Sequence, residues 1–317
     1  MTLTTVTTAW LIRLIRILIV LIPAATAFSV LARFPYPRST LVAYPLMLAG
    51  RGPGGSWRQA REAYYARLLQ EEVVEQIRRR SQIVEHADNN LHRYRTPLGF
   101  YWIPYGMNLP SLLSEMQVKY RPTGGQWVRP GDVVLDCGAN VGVFTRAALS
   151  AGAGKVVAIE PSPRNIACLR RTFSVEIAEG RVVLYPGGVW DREDILPLNE
   201  SITSAEDSLV MQRKEFRSSV RVPLTTIDRL AAELNLGRVD FIKMDIEGAE
   251  RKALAGASHT IERFHPRLEV SVNHLPDDPQ VLPRIIGKAW SGYRIKCIMC
   301  SFDAQRWRLV ADILYFE

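Results

Sequence analysis

The sequence predicts an α/β fold built on an open parallel sheet, on three observations. Two apolar runs are short enough to be buried strands and end in an acid: Val133-Val-Leu before Asp136, and Lys155-Val-Val-Ala-Ile before Glu160. A third stretch, Val239-Asp-Phe-Ile-Lys-Met-Asp245, ends the same way. Helix-compatible segments alternate with them, such as Val143 to Leu149 and Pro163 to Phe173, and strand-helix-strand units of this kind build parallel sheets. Such sheets bind ligands at the carboxyl ends of their strands, so Asp136, Glu160 and Asp245 are expected to converge on one crevice.

The first strand runs into Asp136-x-Gly138-x-Asn140-x-Gly142, a glycine-rich turn before a helix. Glycine is needed where a ligand approaches the backbone or φ is positive, a conformation that costs other residues about 1 kcal/mol or more. The spacing is not the G-x-G-x-x-G of a dinucleotide loop, and a carboxylate at Asp136 would repel a diphosphate. A cationic ligand fits better. Glu160 at the next strand end can accept hydrogen bonds from both hydroxyls of a ribose. These residues therefore point to a nucleoside with a cationic or amino-acid tail.

At Asp136-Cys-Gly-Ala-Asn-Val-Gly142, Ala158-Ile-Glu-Pro-Ser-Pro163 and Phe241-Ile-Lys-Met-Asp-Ile-Glu-Gly-Ala-Glu250 the chain resembles the class I S-adenosylmethionine-dependent methyltransferases, in particular the FkbM family. The resemblance runs over roughly Leu112 to Val272, and the third motif is its most specific part. It implies a Rossmann-like fold, with a mostly parallel seven-stranded sheet closed by a C-terminal antiparallel hairpin, and S-adenosyl-L-methionine as cofactor. Asp136, Gly138, Ala139, Asn140 and Gly142 would surround the methionine part, and Glu160 and Pro161 the ribose. Val189 and Asp191, in Gly187-Gly-Val-Trp-Asp191, would lie by the adenine, although a turn-forming role suits Asp191 equally. Asp245 would stand near the reacting centre, on the cofactor side as well as the acceptor side.

The chain has 317 residues, 47% of them hydrophobic, enough for a full core. Its net charge of +8 is spread without a lysine or arginine block, so no nucleic-acid partner is expected, and an anionic membrane surface suits it better. The 4 cysteines make no disulfide framework, and Cys297-x-x-Cys300 lacks a second pair to complete a zinc site. No metal is assigned.

Residues 1–34 are expected to form a hydrophobic anchor, 35–110 a linker with a helical and aromatic extension, and 111–317 the methyltransferase domain. Ile17 to Ala32 carries no charge, and extension back to Trp10 approaches the ~20 residues of a bilayer span. A membrane anchor, a signal peptide cleaved at Ala25-Thr26-Ala27 and an interfacial helix all fit this stretch. The resemblance implies a cytoplasmic cofactor, so the expected localisation is a membrane-anchored chain with its catalytic domain in the cytoplasm. After the Gly50-to-Gly55 break, Trp57 to Glu85 reads as one long helix. Pro97 to Pro110 reads as a short strand or hairpin, and Asn108 to Tyr120 as a helix carrying Glu115. Ser201 to Lys214 is a polar loop, and Tyr293 to Cys300 with Arg306 to Phe316 are the terminal pair of strands.

Asp245, Glu247 and Glu250 around Gly248 could orient a hydroxyl, act as general base or coordinate a divalent ion, and Glu250 or Glu247 could instead cap the following helix. His274, just after the strand Arg267 to Val272, has a side chain whose ordinary near-neutral pKa suits proton removal. Methyl transfer needs mainly alignment and the uptake of one proton, so few catalytic groups are expected, with Asp245, Glu247 and His274 the candidates. The expectation is an O-methyltransferase of FkbM type acting on a hydroxyl of a small molecule, a sugar or a lipid-linked acceptor. A nicotinamide-dependent oxidoreductase would need G-x-G-x-x-G. A membrane-tethered, non-catalytic nucleoside-binding or scaffold protein is the other alternative.

Overall fold

The computed structural model describes residues 3–87, 90–119, 128–200, 207–210 and 218–317. The chain opens with α1 (Leu3–Leu31), α2 (Pro35–Leu48) and α3 (Trp57–Arg79), then β1 (Gln82–Ala87), β2 (Leu91–Thr96), β3 (Gly99–Pro104) and α4 (Leu109–Lys119). Strand and helix then alternate through β4 (Val133–Cys137), α5 (Val143–Ser150), β5 (Lys155–Ile159), α6 (Pro163–Thr172), α7 (Ser174–Ala178) and β6 (Val182–Tyr185). β7 (Gly188–Val189), β8 (Asp194–Glu200), β9 (Ser218–Thr225) and α8 (Ile227–Glu233) follow. The chain ends with β10 (Phe241–Met244), α9 (Glu250–Ala255), α10 (Ser258–Phe264), β11 (Arg267–Ser271), α11 (Asp278–Ala289), β12 (Ile295–Asp303) and β13 (Arg308–Phe316).

The central sheet has the order β12-β13-β11-β10-β4-β5-β6. β11, β10, β4, β5 and β6 pair in parallel, whereas β13 is antiparallel to both β11 and β12. The sheet is therefore mixed, which corrects the expectation of a mostly parallel one. The β12–β13 connection is too short for a crossover and forces an antiparallel pair, and β13 then wedges between β12 and β11. Leu135, Val157, Ile242, Met244, Leu268 and Val270 are all fully buried in the main core, each contributing about 1.5–3 kcal/mol by burial. Chain order runs outward from β4 to β6 on one side and from β10 to β11 on the other, with β13 and then β12 beyond. The reversal between β4 and β10 opens a crevice at their carboxyl ends.

Ser56 and Gln59 close a reciprocal capping box at the start of α3, which packs on α2 through Ala43, Leu46, Ala60, Tyr64 and Leu68. The long helix expected to Glu85 ends at Arg79, because Gln82–Ala87 pairs with β2 instead and the sheet ladder overrides a helix-compatible composition. Pro97 and Leu98 form the turn between β2 and β3, so the stretch expected as a short strand or hairpin from Pro97 to Pro110 supplies one strand, and its partner β2 precedes it. Much of the loop expected over Ser201 to Lys214 lies outside the described residues.

The N-terminal segment is helical, yet the expectation of a transmembrane helix needs correction. Among the described residues no single helix is long and apolar enough to cross a membrane; Ile17–Leu31 and Pro35–Leu48 qualify only as a pair bent by 114°. Proline fixes the break: Pro35 opens α2 directly after the turn at residues 32–34. Along α1 the large apolar side chains from Ile17 to Ile22 are exposed rather than packed on the domain.

Candidate active site

β4 ends at Cys137 and the chain turns through Gly138 to Gly142 into α5. At Gly138 φ is +79°, and a Cβ there would lie 2.0 Å from the Asp245 carbonyl oxygen, so only glycine lets this turn rest against the end of β10. At Gly142 φ is +88° and a Cβ would strike the Phe173 ring at 2.1 Å, which places that glycine's role in packing the loop on α6. Asn140 holds φ at 50°.

Glu160, at the end of β5, is buried and pinned by three donors. Its Oε2 accepts from the Asn140 N–H at 2.7 Å, and its Oε1 from the Ser162 N–H at 2.8 Å and the Asn165 side-chain amide at 3.4 Å. Burial pushes its pKa up to about 7, against the opposing pull of the two backbone hydrogen bonds. The charged form is thus poised rather than fixed at neutral pH.

These elements border a cleft of about 970 Å³, open solvent at its mouth included. Gly138, Ala139, Asn140, Glu160, Pro161, Val189, Asp245 and Glu247 line it, so most of the sequence-predicted residues come together. Leu112, Glu115 and Met116 of α4 also face it, as do Gly188 and Lys243.

Three expected contacts lie elsewhere. Asp136 is fully buried beneath the turn and off the cleft wall; its Oδ2 accepts from Thr145 Oγ1 at 2.6 Å and its Oδ1 lies 3.4 Å from Lys243 Nζ. Gly142 is held against Phe173. Asp191 turns outward to Lys252 at 2.7 Å and Arg192 at 3.2 Å, and the Lys252 hydrogen bond holds its pKa below the usual range.

Lys243 was not singled out from the sequence. Its Nζ donates to the Gly138 carbonyl at 2.7 Å and to that of Cys137 at 3.3 Å, tying β10 to the glycine turn. Burial works against its charge, but Asp136, Asp245 and Glu269 outweigh burial and raise its pKa. The signal was a single cation inside an otherwise apolar strand, Phe241-Ile-Lys-Met244, since buried charges are paired.

At the end of β10 the chain passes Asp245 and Glu247, the latter at φ 53°, and enters α9 with Glu250. Glu250 is buried; its Oε1 accepts from the Ile246 N–H at 2.9 Å, ahead of α9, and also lies 2.9 Å from His274 Nδ1, while α9 has no side-chain cap hydrogen bond, so the capping expected of Glu250 or Glu247 is not seen. The other ring nitrogen, His274 Nε2, stands 3.5 Å from Asp245 Oδ1 and 3.7 Å from Glu247 Oε1. The near-neutral pKa expected for His274 does not survive in this setting. Burial lowers it, but hydrogen bonding to Glu247 and Glu250 and the charges of Glu250 and Asp245 prevail and push it up to about 11.

A glycine turn at β4, a buried carboxylate at the end of β5 and carboxylates after β10 around one crevice define a Rossmann-like, methyltransferase-like fold. Comparison with known proteins carries this to a family: residues 136–299 match the methyltransferase FkbM domain. The chain belongs to the FkbM methyltransferase family and carries its S-adenosylmethionine-dependent methyltransferase domain. The 31-O-demethyl-FK506 methyltransferase FkbM of Streptomyces tacrolimicus is 26% identical over 190 residues, 51% of this chain and 72% of the relative. The 2-O-methyltransferase NoeI of Sinorhizobium fredii (strain NBRC 101917 / NGR234) is 30% identical over 149 residues, 43% of this chain and 61% of the relative. The crystal structure of methyltransferase FkbM from Methylobacillus flagellatus KT matches 82% of this chain and 62% of that one at 19% identity, with a TM-score of 0.45. The chain thus spans less than two thirds of NoeI and of that solved structure.

Proposed function

We propose that the chain is an O-methyltransferase that uses S-adenosyl-L-methionine to methylate a hydroxyl of a small molecule, a sugar or a lipid-linked acceptor. The observation that carries this reading is the convergence of the Gly138 turn, the Glu160 carboxylate and Asp245 on one cleft. The residues suit the cofactor: Gly138, Ala139 and Asn140 border the place of its methionine part, Glu160 and Pro161 that of its ribose, and Val189 that of its adenine. Carboxylates at Asp245 and Glu247 favour a positive sulfonium beside them. When bound, the cofactor supplies a methyl carbon already activated for displacement. The chain's own residues hold the acceptor oxygen in line with that carbon, keep water out beneath α4 and receive one proton. Asp245 and Glu247 line the cleft with His274 against them, and the two carboxylates are suited to receive that proton. The names of the relatives FkbM and NoeI, both O-methyltransferases, support an oxygen acceptor.

Calorimetric titration of the full chain with S-adenosylhomocysteine, with NAD as comparison, tests the cofactor. Binding of the former alone supports the reading, and binding of neither would favour the non-catalytic scaffold. For localisation, we propose attachment to the cytoplasmic face of a membrane through the exposed apolar residues of α1, for instance Ile17, Ile19 and Leu21. Recovery of the full chain in the soluble fraction without detergent would end that proposal.

A further inference from the structure

We infer that Asp245, Glu247 and His274 form a binding site for a divalent metal cation at the acceptor end of the cleft. Each offers one ligand atom, and these atoms all lie within 4.8 Å of one another. The separations carry the argument. Nε2 of His274 is 3.5 Å from Asp245 Oδ1 and 3.7 Å from Glu247 Oε1. Two ligands bound at about 2.1–2.2 Å to a common cation lie about 3.0 Å apart at octahedral and about 3.5 Å apart at tetrahedral angles, so these separations are close to those of atoms sharing a metal.

The imidazole is an independent indication. Its side chain is nine-tenths buried, at 9% exposure, and its Nε2 is aimed at the two carboxylates from 3.5 and 3.7 Å. The opposite nitrogen, Nδ1, meets Glu250 Oε1 at 2.9 Å, and Glu250 is itself fixed by the Ile246 N–H at 2.9 Å. A carboxylate on one ring nitrogen with the other presented to a cation is how metal-binding histidines are oriented. Glu250 is then a positioning residue. One imidazole and two carboxylates favour a cation that accepts nitrogen and oxygen, such as Mn²⁺, over a purely oxygen-loving or thiophilic one. Glu247 and Asp245 also line the cleft, which brings the cation to the acceptor.

The role of the cation, unlike its binding, rests on the methyltransferase reading above. There it would draw the acceptor hydroxyl into place and ease loss of its proton to a carboxylate oxygen of Asp245 or Glu247 that does not hold the cation. The oxygen then forms a bond to the methyl carbon as the carbon–sulfur bond breaks and its electron pair goes to sulfur.

The test is titration of the full chain, held in mild detergent and stripped with EDTA, with Mn²⁺ while free Mn²⁺ is followed by electron paramagnetic resonance. Binding of one Mn²⁺ per chain, weakened at least about tenfold by Asp245→Asn and by His274→Gln, supports the site. Glu250→Gln, which removes only the support of the ring, should weaken binding about 10- to 100-fold. Absence of Mn²⁺ binding by the wild-type chain, or wild-type affinity in all three variants, overturns the site whether or not a variant is less stable. S-adenosylhomocysteine titration of the same wild-type sample separates the two readings. If it binds and Mn²⁺ does not, the cation site falls and the cofactor reading stands; the reverse result removes the cofactor reading and leaves the cation site.

Discussion

Cofactor affinity should depend on pH through Glu160. Its carboxyl is buried and titrates near 7 rather than near the ordinary 4.5, burial being the main cause. Only the ionised form offers acceptors to both ribose hydroxyls. The ionised fraction falls from about nine-tenths at pH 8 to about one-tenth at pH 6, so the dissociation constant for S-adenosylhomocysteine should rise about tenfold, or about 1.4 kcal/mol. The same shift has a stability consequence of opposite sense. The folded state binds more protons than the unfolded one between pH 4.5 and 7, so the ligand-free protein loses stability as pH rises through that window and none beyond it. The loss is of order 3 kcal/mol. Glu160→Gln removes both dependences and, by turning an amide N–H toward the Asn140 or Ser162 N–H, weakens cofactor binding by about 1–3 kcal/mol at pH 8. Calorimetric titrations from pH 6 to 8 read the affinity, and urea unfolding reads the stability. A wild-type affinity that is flat across that range, or the same slope in the variant, would refute the assignment of the ribose to Glu160.

Gly138→Ala should destabilise the domain by more than the roughly 1–2 kcal/mol of a left-handed alanine, because its Cβ would also meet the Asp245 carbonyl oxygen; urea unfolding reads this. Lys243→Met strands the buried Asp136 carboxylate and should cost about 3–5 kcal/mol, and adding Asp136→Asn should recover much of it. Equal losses in the single and double variants would show that the pair is not coupled. Deletion of residues 3–31 should leave the unfolding temperature of the domain nearly unchanged, since the Ile17-to-Ile22 side chains are exposed, while abolishing co-sedimentation with anionic vesicles. A drop of more than a few degrees would mean that α1 supports the domain.

Much of this protein is written locally. The runs that end at Asp136, Glu160 and Asp245 specify strands, and the spacing of Gly138 and Gly142 specifies a tight turn, because backbone preference and burial act over a few residues. Thr226 as a helix cap is of the same kind, its hydroxyl accepting from the Arg229 N–H at 3.0 Å. The family motifs likewise sit in contiguous stretches, which is why much of the cleft lining is legible in the sequence. What the sequence left open depends on residues far apart in the chain. Asp136 looked like a ligand contact, but the neighbouring strand brings Lys243 beneath the turn and draws the carboxylate down to it. Gln82–Ala87 carries helix-compatible residues and becomes a strand because β2 offers it a backbone ladder. His274 is an ordinary loop histidine in sequence; the pairing of β10 with β11 sets it against Asp245, Glu247 and Glu250, and that crowd of carboxylates decides its charge and its ligand geometry. Local chemistry determined the elements and the turn, and strand order, which brings distant carboxylates within a few ångströms, decided what those side chains can do.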